Sequence, residues 1–357
     1  MKAVKLEQAG TSLKIVERSK PQPRPDGVVI RMKAAPVLSY MQDVISGTLP
    51  YMLPTGPFTP GSDLIGTVDT VGSEVFDLEP GTLVHARPQI GSRGYFGQSD
   101  DILIGLTGMA PSSTRVQQIW PDGAYAEYAH YPIDCITPLD HVANMEPERL
   151  AAMMFLAVPY GGLLSAELKP SEAVIIGGAT GNFGAHGVLV ALAMGASRIV
   201  PTGRKASILE DLKALAPDRI FPVVLTEDPE NDTASMVSAA NGPADCYFDI
   251  TGGGGTESVL ASIRALDNSG RVVLMGALQD AIQIPYVEIM VRGLTIMGNF
   301  MYPPEAPAEI CRMIAAGVID LSALDIRTYP LTDASDAIAD AVGKGGLSFN
   351  VVTGVSH

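Results

Sequence analysis

Apolar positions along this chain change their period twice. Up to about residue 144 they form short runs rich in β-branched residues, broken by turn signals. VVIRMKAAPV (28–37) and LIGTVDTVG (64–72) read as strands of a small β-rich unit. PQPRPDG (21–27) reads as the loop before the first strand, and PFTPGSD (57–63) as the turn before the second. From Glu146 to Leu164 the period becomes helical, with Pro147 near the start and Leu150, Met153, Met154 and Leu156 on the apolar face. Strand and helix patterns alternate after that. Strands are expected at Val174–Ile176, around Ile199–Val200, and at FPVVL (221–225), ADCYFDITG (244–252), RVVLMGA (271–277) and LTIMGNF (294–300). Helices are expected over Phe183–Met194 and SVLASIRAL (258–266). Such alternation predicts an α/β fold with a doubly wound parallel sheet and a ligand at the carboxyl ends of its strands. A helix over 306–319 and a strand over 347–354 fit a return to the first unit, leaving a cleft between two domains.

The stretch from Ala173 to Lys205 is the most specific. Its first strand is short and β-branched, as for a strand buried on both faces. Small residues come next: Gly177, Gly178, Ala179, Thr180, Gly181 and Gly184. A pyrophosphate needs backbone N–H groups at close range and a helix N-terminus aimed at it, and a large side chain would block its approach. The helix after the turn is apolar nearly all round and is expected under a sheet. Together these features read as a Rossmann dinucleotide site, although Ala179 stands where the first glycine of G-x-G-x-x-G would be. A βαβ unit with a tight turn and no ligand is the plainer alternative. The expected division is a dinucleotide-binding domain of residues 145–298 and a β-rich domain of residues 1–144 and 299–357.

The residues just past the second strand bear on the cofactor. An NAD site places a carboxylate about 20 residues past the glycines to bind the ribose hydroxyls. Here the chain reads Pro201, Thr202, Gly203, Arg204, Lys205, and the first acid after the glycines is Glu210. A 2′-phosphate could rest on Thr202 and the Gly203 backbone, with charge from Arg204 or Lys205. The expectation is NADP(H); a solvated helix start is the alternative for the basic pair.

Composition narrows the rest. The 357 residues, 46% hydrophobic, suffice for two cores. A formal charge of −15 argues against nucleic acid or an anionic membrane as partner. No apolar run reaches membrane-spanning length, and MKAVKLEQAG lacks the apolar core of a signal peptide. Cys135, Cys246 and Cys311 are odd in number and far apart, which fits a reducing cytoplasm and excludes a cysteine zinc cluster. His85, His130, His141 and His186 show no ligand spacing and read as structural or exposed.

In order and spacing, PGSDLIGTVDTVGSEV, DGAYAEYAHYP, the βαβ run, DCYFDITGGGGTESVLASIRALDNSGRVVLMGAL and the tail resemble the medium-chain dehydrogenase/reductase superfamily over essentially the whole chain. The resemblance implies a GroES-like catalytic domain beside the Rossmann domain, and a homodimer paired through the LTIMGNF strand. It also implies cofactor contacts at Ala179, Thr180, Gly181, Asn182, Phe183, Gly184, Thr251, Gly276, Ala277 and Phe300, besides Thr202 to Lys205. Departures from the pattern direct the functional expectation. Leu38 stands at the position of the catalytic cysteine of zinc alcohol dehydrogenases, and Gly61, Ser62 and Asp63 replace their Gly-His-Glu. The structural zinc loop gives way to a cysteine-free stretch within 88–122. Leucine cannot ligate zinc and serine is a poor substitute for histidine, so no zinc is expected. The chain therefore resembles the zinc-free quinone and enoyl reductases, even though their asparagine falls at Leu38 and a substrate-side tyrosine at Leu49.

By the same resemblance Tyr40 and Tyr51 are the candidate proton donors. Ser39, Ser62, Tyr160, Met301 and Tyr302 are the candidate substrate pocket, with Asp63 holding it together. Each of these tyrosines could equally be packing. Tyr95 and Trp120 in the insertion could cap the pocket or an oligomer contact. The expected function is NADPH-dependent, zinc-independent hydride transfer to an activated C=C (an enone) or a quinone of a small, mostly apolar molecule. The alternatives are a zinc-independent carbonyl reductase or alcohol dehydrogenase using Tyr40, and a non-catalytic NADP(H)-binding protein.

Overall fold

A computed structural model of the chain describes residues 1–91, 100–226, 228–253 and 255–354. Tyr95 lies outside the described residues. Two sheets dominate. The first is seven-stranded and runs Ile136–Pro138, Leu83–Ala86, Leu64–Val71, Gly27–Val37, Ser348–Thr353, Asp325–Pro330, with Tyr128–Pro132 also paired to Gly27–Val37. The C-terminal strand Ser348–Thr353 pairs antiparallel with Gly27–Val37, so the tail returns to the N-terminal unit. The second sheet is six-stranded and parallel, in the order Val223–Val224, Arg198–Gly203, Ala173–Gly177, Ala244–Asp249, Leu266–Leu274, Thr295–Gly298. Ala173–Gly177 is central and buried throughout, as its β-branched run requires. The order reverses on either side of it, which places a ligand crevice at its carboxyl end. This is the doubly wound Rossmann-type arrangement beside a β-rich domain that the alternation predicts.

The helix after the central strand, Asn182–Ala193, is buried on nearly every face. It lies against the helix Met153–Ser165, which is buried almost throughout. The helical stretch expected from Glu146 is in fact broken, with Pro147–Leu150 preceding Met153–Ser165. FPVVL shortens to Val223–Val224, because that strand is the sheet edge and pairs on one side only. Periodicity gives no sign of the short helix Tyr286–Arg292, none of whose residues is buried. No helix of the described residues is long and apolar enough to cross a membrane.

The insertion folds on itself. Gln89–Ile90, Ile102–Leu103 and Thr107–Gly108 form a small antiparallel sheet, and the helix Thr114–Ile119 comes after it. It is keyed to the first domain where three backbones cross. A Cβ on Gly123 would strike the carbonyl oxygen of Gly61, and one on Gly105 would strike both that oxygen and the Gly123 backbone. The amide of Ala124 donates to the Gly61 carbonyl (3.0 Å), and that of Gly123 to Thr59 (2.7 Å). Only glycine permits so close an approach. Gly123→Ala should therefore shift backbone and cost about 1–3 kcal/mol, as overpacking does. Urea unfolding should show a lower midpoint at unchanged slope; an unchanged midpoint would refute the crossing.

Candidate active site

At the carboxyl end of the central strand, Gly178 turns the chain with φ +73°, in the left-handed region. A Cβ on Gly184 would strike Gly178 and Ala179, so the first turn of the helix sits directly on the glycine turn. Gly181 caps that helix, and among the described residues no side chain bonds its first amides. Free amides, a helix dipole and an unobstructed approach suit a pyrophosphate. The residues fit a dinucleotide.

Beside the turn is a cavity of about 210 Å³ bordered by Thr180, Gly203, Arg204, Lys205, Thr251 and Ser258, among others. Two cations and no carboxylate are among its described lining residues. Arg204 is exposed and makes no ion pair among the described residues. The Lys205 ammonium donates to the carbonyl of Gly343 (2.9 Å), in the tail segment. Thr202 is buried, and its hydroxyl donates to the Ile176 carbonyl (3.3 Å), so it braces the strands and does not offer itself to a phosphate. A Cβ on Gly203 would strike Thr180, which holds those two candidates in contact. Thr251 donates its hydroxyl to the buried Asp249 carboxylate (2.7 Å) and its carbonyl accepts from Ala277 (2.9 Å), so the Thr251 and Gly276–Ala277 turns form one rim.

Asn182 departs from its expected part. Its amide donates to the carbonyls of Gly346 (3.2 Å) and Ser348 (2.7 Å), tying the cofactor helix to the tail. The Phe183 ring packs on Phe155 at 5.3 Å. His186 lies deeper, bonded to the Asn182 carbonyl (2.7 Å), and burial pulls its pKa down to about 4. It is neutral and structural.

The second half of the site comes from the β-rich domain. Leu38 is buried in the core and has no donor atom. Ser39 and Tyr40 come next, half-buried, at the start of the helix Met41–Ser46. The rings of Tyr40 and Tyr51 meet edge-on with centroids 6.5 Å apart. Burial, then the neighbouring Tyr51 and the charge of Asp63, hold the Tyr40 phenol well above the ordinary tyrosine value; burial also raises Tyr51. Both therefore keep their protons at neutral pH and are poor bases. Ser62 bonds the thioether of Met154 (3.4 Å), and the carboxylate of Asp63 bonds His85 (3.0 Å), all of them buried. The Tyr302 hydroxyl is buried without a hydrogen-bond partner among the described residues, and burial together with the charge of Asp63 raises its pKa. Asp63 thus lies near the phenols of Tyr40 and Tyr302.

Sequence reading passes over His85. Its pairing with Asp63 depends on strand register, in which Ile65 lies opposite His85, and no local motif reports that. Two other candidates are placed differently from their expected parts. Tyr160 is buried with its hydroxyl on Glu309 (2.6 Å), and burial together with that carboxylate pushes its pKa up to about 12. Trp120 is buried against His130 (4.7 Å) and under the Arg24 guanidinium. Met301 and Tyr302 are buried against Gly161, while Phe300 is 54% exposed.

Zinc does not fit this donor set. At the two positions compared with zinc ligands stand a leucine and a serine whose hydroxyl meets a thioether, and the adjacent carboxylate is taken by His85.

Two family models match in chain order. One described as "Alcohol dehydrogenase GroES-like domain" matches residues 24–141, and one described as "Zinc-binding dehydrogenase" matches 183–316. Sorbitol dehydrogenase of Pongo abelii is 27% identical over 338 residues, covering 93% of this chain and 90% of its own. NAD-dependent alcohol dehydrogenase of Sulfurisphaera tokodaii is 24% identical, covering 95% of each. The solved alcohol dehydrogenase TADH from Thermus sp. ATN1 superposes with a TM-score of 0.82 over 99% of both chains at 22% identity. These relatives are alcohol and sorbitol dehydrogenases, so they support the resemblance at the level of the superfamily and not the quinone and enoyl reductase branch. With both domains present in order, and with a dinucleotide turn facing a cleft, the chain belongs to the medium-chain dehydrogenase/reductase superfamily of oxidoreductases.

Proposed function

We propose that this protein is an NADP(H)-dependent, zinc-independent carbonyl reductase or alcohol dehydrogenase acting on a small, mostly apolar molecule. One observation carries the reading: two neutral phenols, Tyr40 and Tyr51, face each other beside the place where relatives of this type would hold a metal, and the residues there make no ligand set. The alcohol and sorbitol dehydrogenase relatives favour carbonyl chemistry over the quinone chemistry expected from sequence. When bound, the nicotinamide supplies the hydride. Tyr40 donates a hydrogen bond and then its proton to the oxygen that gains charge as hydride reaches carbon, and Tyr51 holds the Tyr40 phenol in place. The charge of Asp63, whose carboxylate is bonded to His85, opposes loss of the Tyr40 proton.

A second reading rests on the same phenols. With pKa values held high they are weak acids, and an enolate formed from a conjugated carbonyl asks less of them than a simple alkoxide does. The enone or quinone reductase remains open on that ground.

The decisive assay supplies a saturated ketone and its matched enone with NADPH, and measures zinc on the same sample. Ketone turnover with substoichiometric zinc is the expected result. Turnover of the enone alone would move the second reading ahead, NADPH binding without turnover would mean a non-catalytic protein, and stoichiometric zinc would refute both enzyme readings. Tyr40→Phe should lower kcat about 100-fold, within the usual contribution of an acid catalyst, at unchanged NADPH affinity. Reduction should hold its rate to beyond pH 10.0, the ordinary tyrosine value, because raised phenols keep their protons there.

For the cofactor, Arg204→Ala with Lys205→Ala should weaken NADPH by about 1.5–3 kcal/mol, the range for hydrogen bonds to charged groups, and leave NADH nearly unchanged. Equal losses would mean that the pair is no phosphate site.

The partner proposed is a second copy of the chain. The strand Thr295–Gly298 is a sheet edge with an unpaired side, and the helix Tyr286–Arg292 beside it exposes Tyr286 (80%), Val287, Met290 and Val291. Val287→Asp with Val291→Asp should turn a dimer into a monomer by light scattering; a wild-type monomer would refute the pairing.

A further inference from the structure

The insertion is not absorbed by the chemistry above, yet it grips the chain next to a candidate proton donor. Met52 comes directly after Tyr51, and both of its backbone groups are bound by the insertion. Its amide donates to the Thr107 hydroxyl oxygen (3.0 Å). Its carbonyl accepts from the Gln117 side chain (2.6 Å) and from the Gly108 amide (2.8 Å). Thr107 and Gln117 are both buried, whereas the Met52 side chain is 38% exposed. The grip is on the backbone. It fixes where the chain runs and asks nothing of the side chain at 52.

The holding residues are themselves braced. Thr107 donates its own proton to the Gly108 carbonyl (3.0 Å), which leaves a lone pair for Met52. A Cβ on Gly108 would crowd Ser113 (2.8 Å) and Gln117 (3.4 Å), so the glycine lets the helix Thr114–Ile119 close in. Ser113 accepts from the amides of Met109 (3.2 Å) and Ala110 (3.1 Å) and donates to the Asp101 carbonyl (2.7 Å). Two buried polar side chains spent on one backbone residue are costly unless their bonds are made, so their geometry is set firmly.

We infer that residues 100–120 form a positioning lobe, in which Thr107 and Gln117 act through Met52 to set the Tyr51 ring against Tyr40. This rests on the proposed role of the two phenols. A misplacement of about 1 Å near the reacting groups costs up to ~100-fold in rate, so a rigid grip one residue away bears directly on turnover.

Thr107→Val keeps the shape and removes the acceptor; Thr107→Ser keeps the acceptor. Thr107→Val should lower kcat at least about tenfold at unchanged NADPH affinity, and Thr107→Ser should retain it. In a Tyr51→Ala background, which removes the ring itself, Thr107→Val should have no further effect on kcat. An equal loss in both backgrounds, or no loss in either, would overturn the inference. Hydrogen exchange in the peptide covering 49–54 gives a readout independent of turnover. Thr107→Val should speed exchange there, leave Rossmann peptides unchanged, and have Gln117→Leu as a second case; unaltered exchange in both would overturn the grip. Absence of turnover by the unmodified protein would count against the proposed function alone, because the exchange result stands without it.

Discussion

The crossing of three glycine backbones at Gly61, Gly105 and Gly123 is the constraint on which the catalytic half of the molecule depends. Gly61 precedes Ser62 and Asp63, Gly105 belongs to the insertion, and Gly123 begins the stretch leading to Tyr125. Because none has a side chain, the three segments meet at backbone distance, and amides of the 123–125 segment bond the carbonyls of Thr59, Pro60 and Gly61. From that point the chain spreads in two directions. Tyr125 and Tyr131 pack inward, their hydroxyls donating to the carbonyls of Pro36 (3.1 Å) and Ser62 (2.5 Å). The insertion meanwhile reaches the Met52 backbone. Moving the crossing would move Asp63 and the Tyr51 loop together.

The Rossmann half depends on a different use of glycine. There the small residues keep atoms away from a ligand, whereas at the crossing they let three segments of the same chain touch. That difference explains why one is legible in the sequence and the other is not. The dinucleotide turn is local: strand, glycines, helix and basic pair succeed one another within about one βαβ unit, and each signal reinforces the next. Gly61, Gly105 and Gly123 lie far apart, and nothing around any one of them names the other two. The Asp63–His85 pair and the Gln117–Met52 bond are hidden for the same reason. Register and docking create them, and a linear reading sees only scattered histidines and a cysteine-free insertion.

Resemblance is most informative where the chain fails to match. Leu38 and Ser62 mark the lost donor set, and the structure supplies the reason each is tolerated. Leu38 joins the core, and Ser62 turns its hydroxyl to Met154. The expected roles are least supported for Asn182 and Tyr160, which the resemblance makes ligand contacts, and for Thr202, which the run past the second strand makes a phosphate contact. Their polar atoms are engaged by Gly346 and Ser348, by Glu309 and by Ile176. A side chain at a familiar position keeps its function only if its polar atoms remain unspent.

Polar atoms already engaged also tie the two domains together. Asn182 at the head of the cofactor helix and Lys205 at the head of the next both donate to carbonyls of the 343–348 segment, which belongs to the strand-bearing tail of the β-rich domain. The tail therefore lies across the dinucleotide turn and is held by residues from both sides of it. Asn182 is buried and its bonds are structural, but Lys205 is exposed and its bond to Gly343 is neutral at the acceptor. A phosphate would compete for that ammonium with a full charge, and a charge-assisted bond is roughly twice as strong as a neutral one. Binding at the adenosine end would then loosen only the Lys205 tie, while the Asn182 bonds and the bond from the Gly346 amide to the Thr180 carbonyl (3.0 Å) keep the tail on the turn.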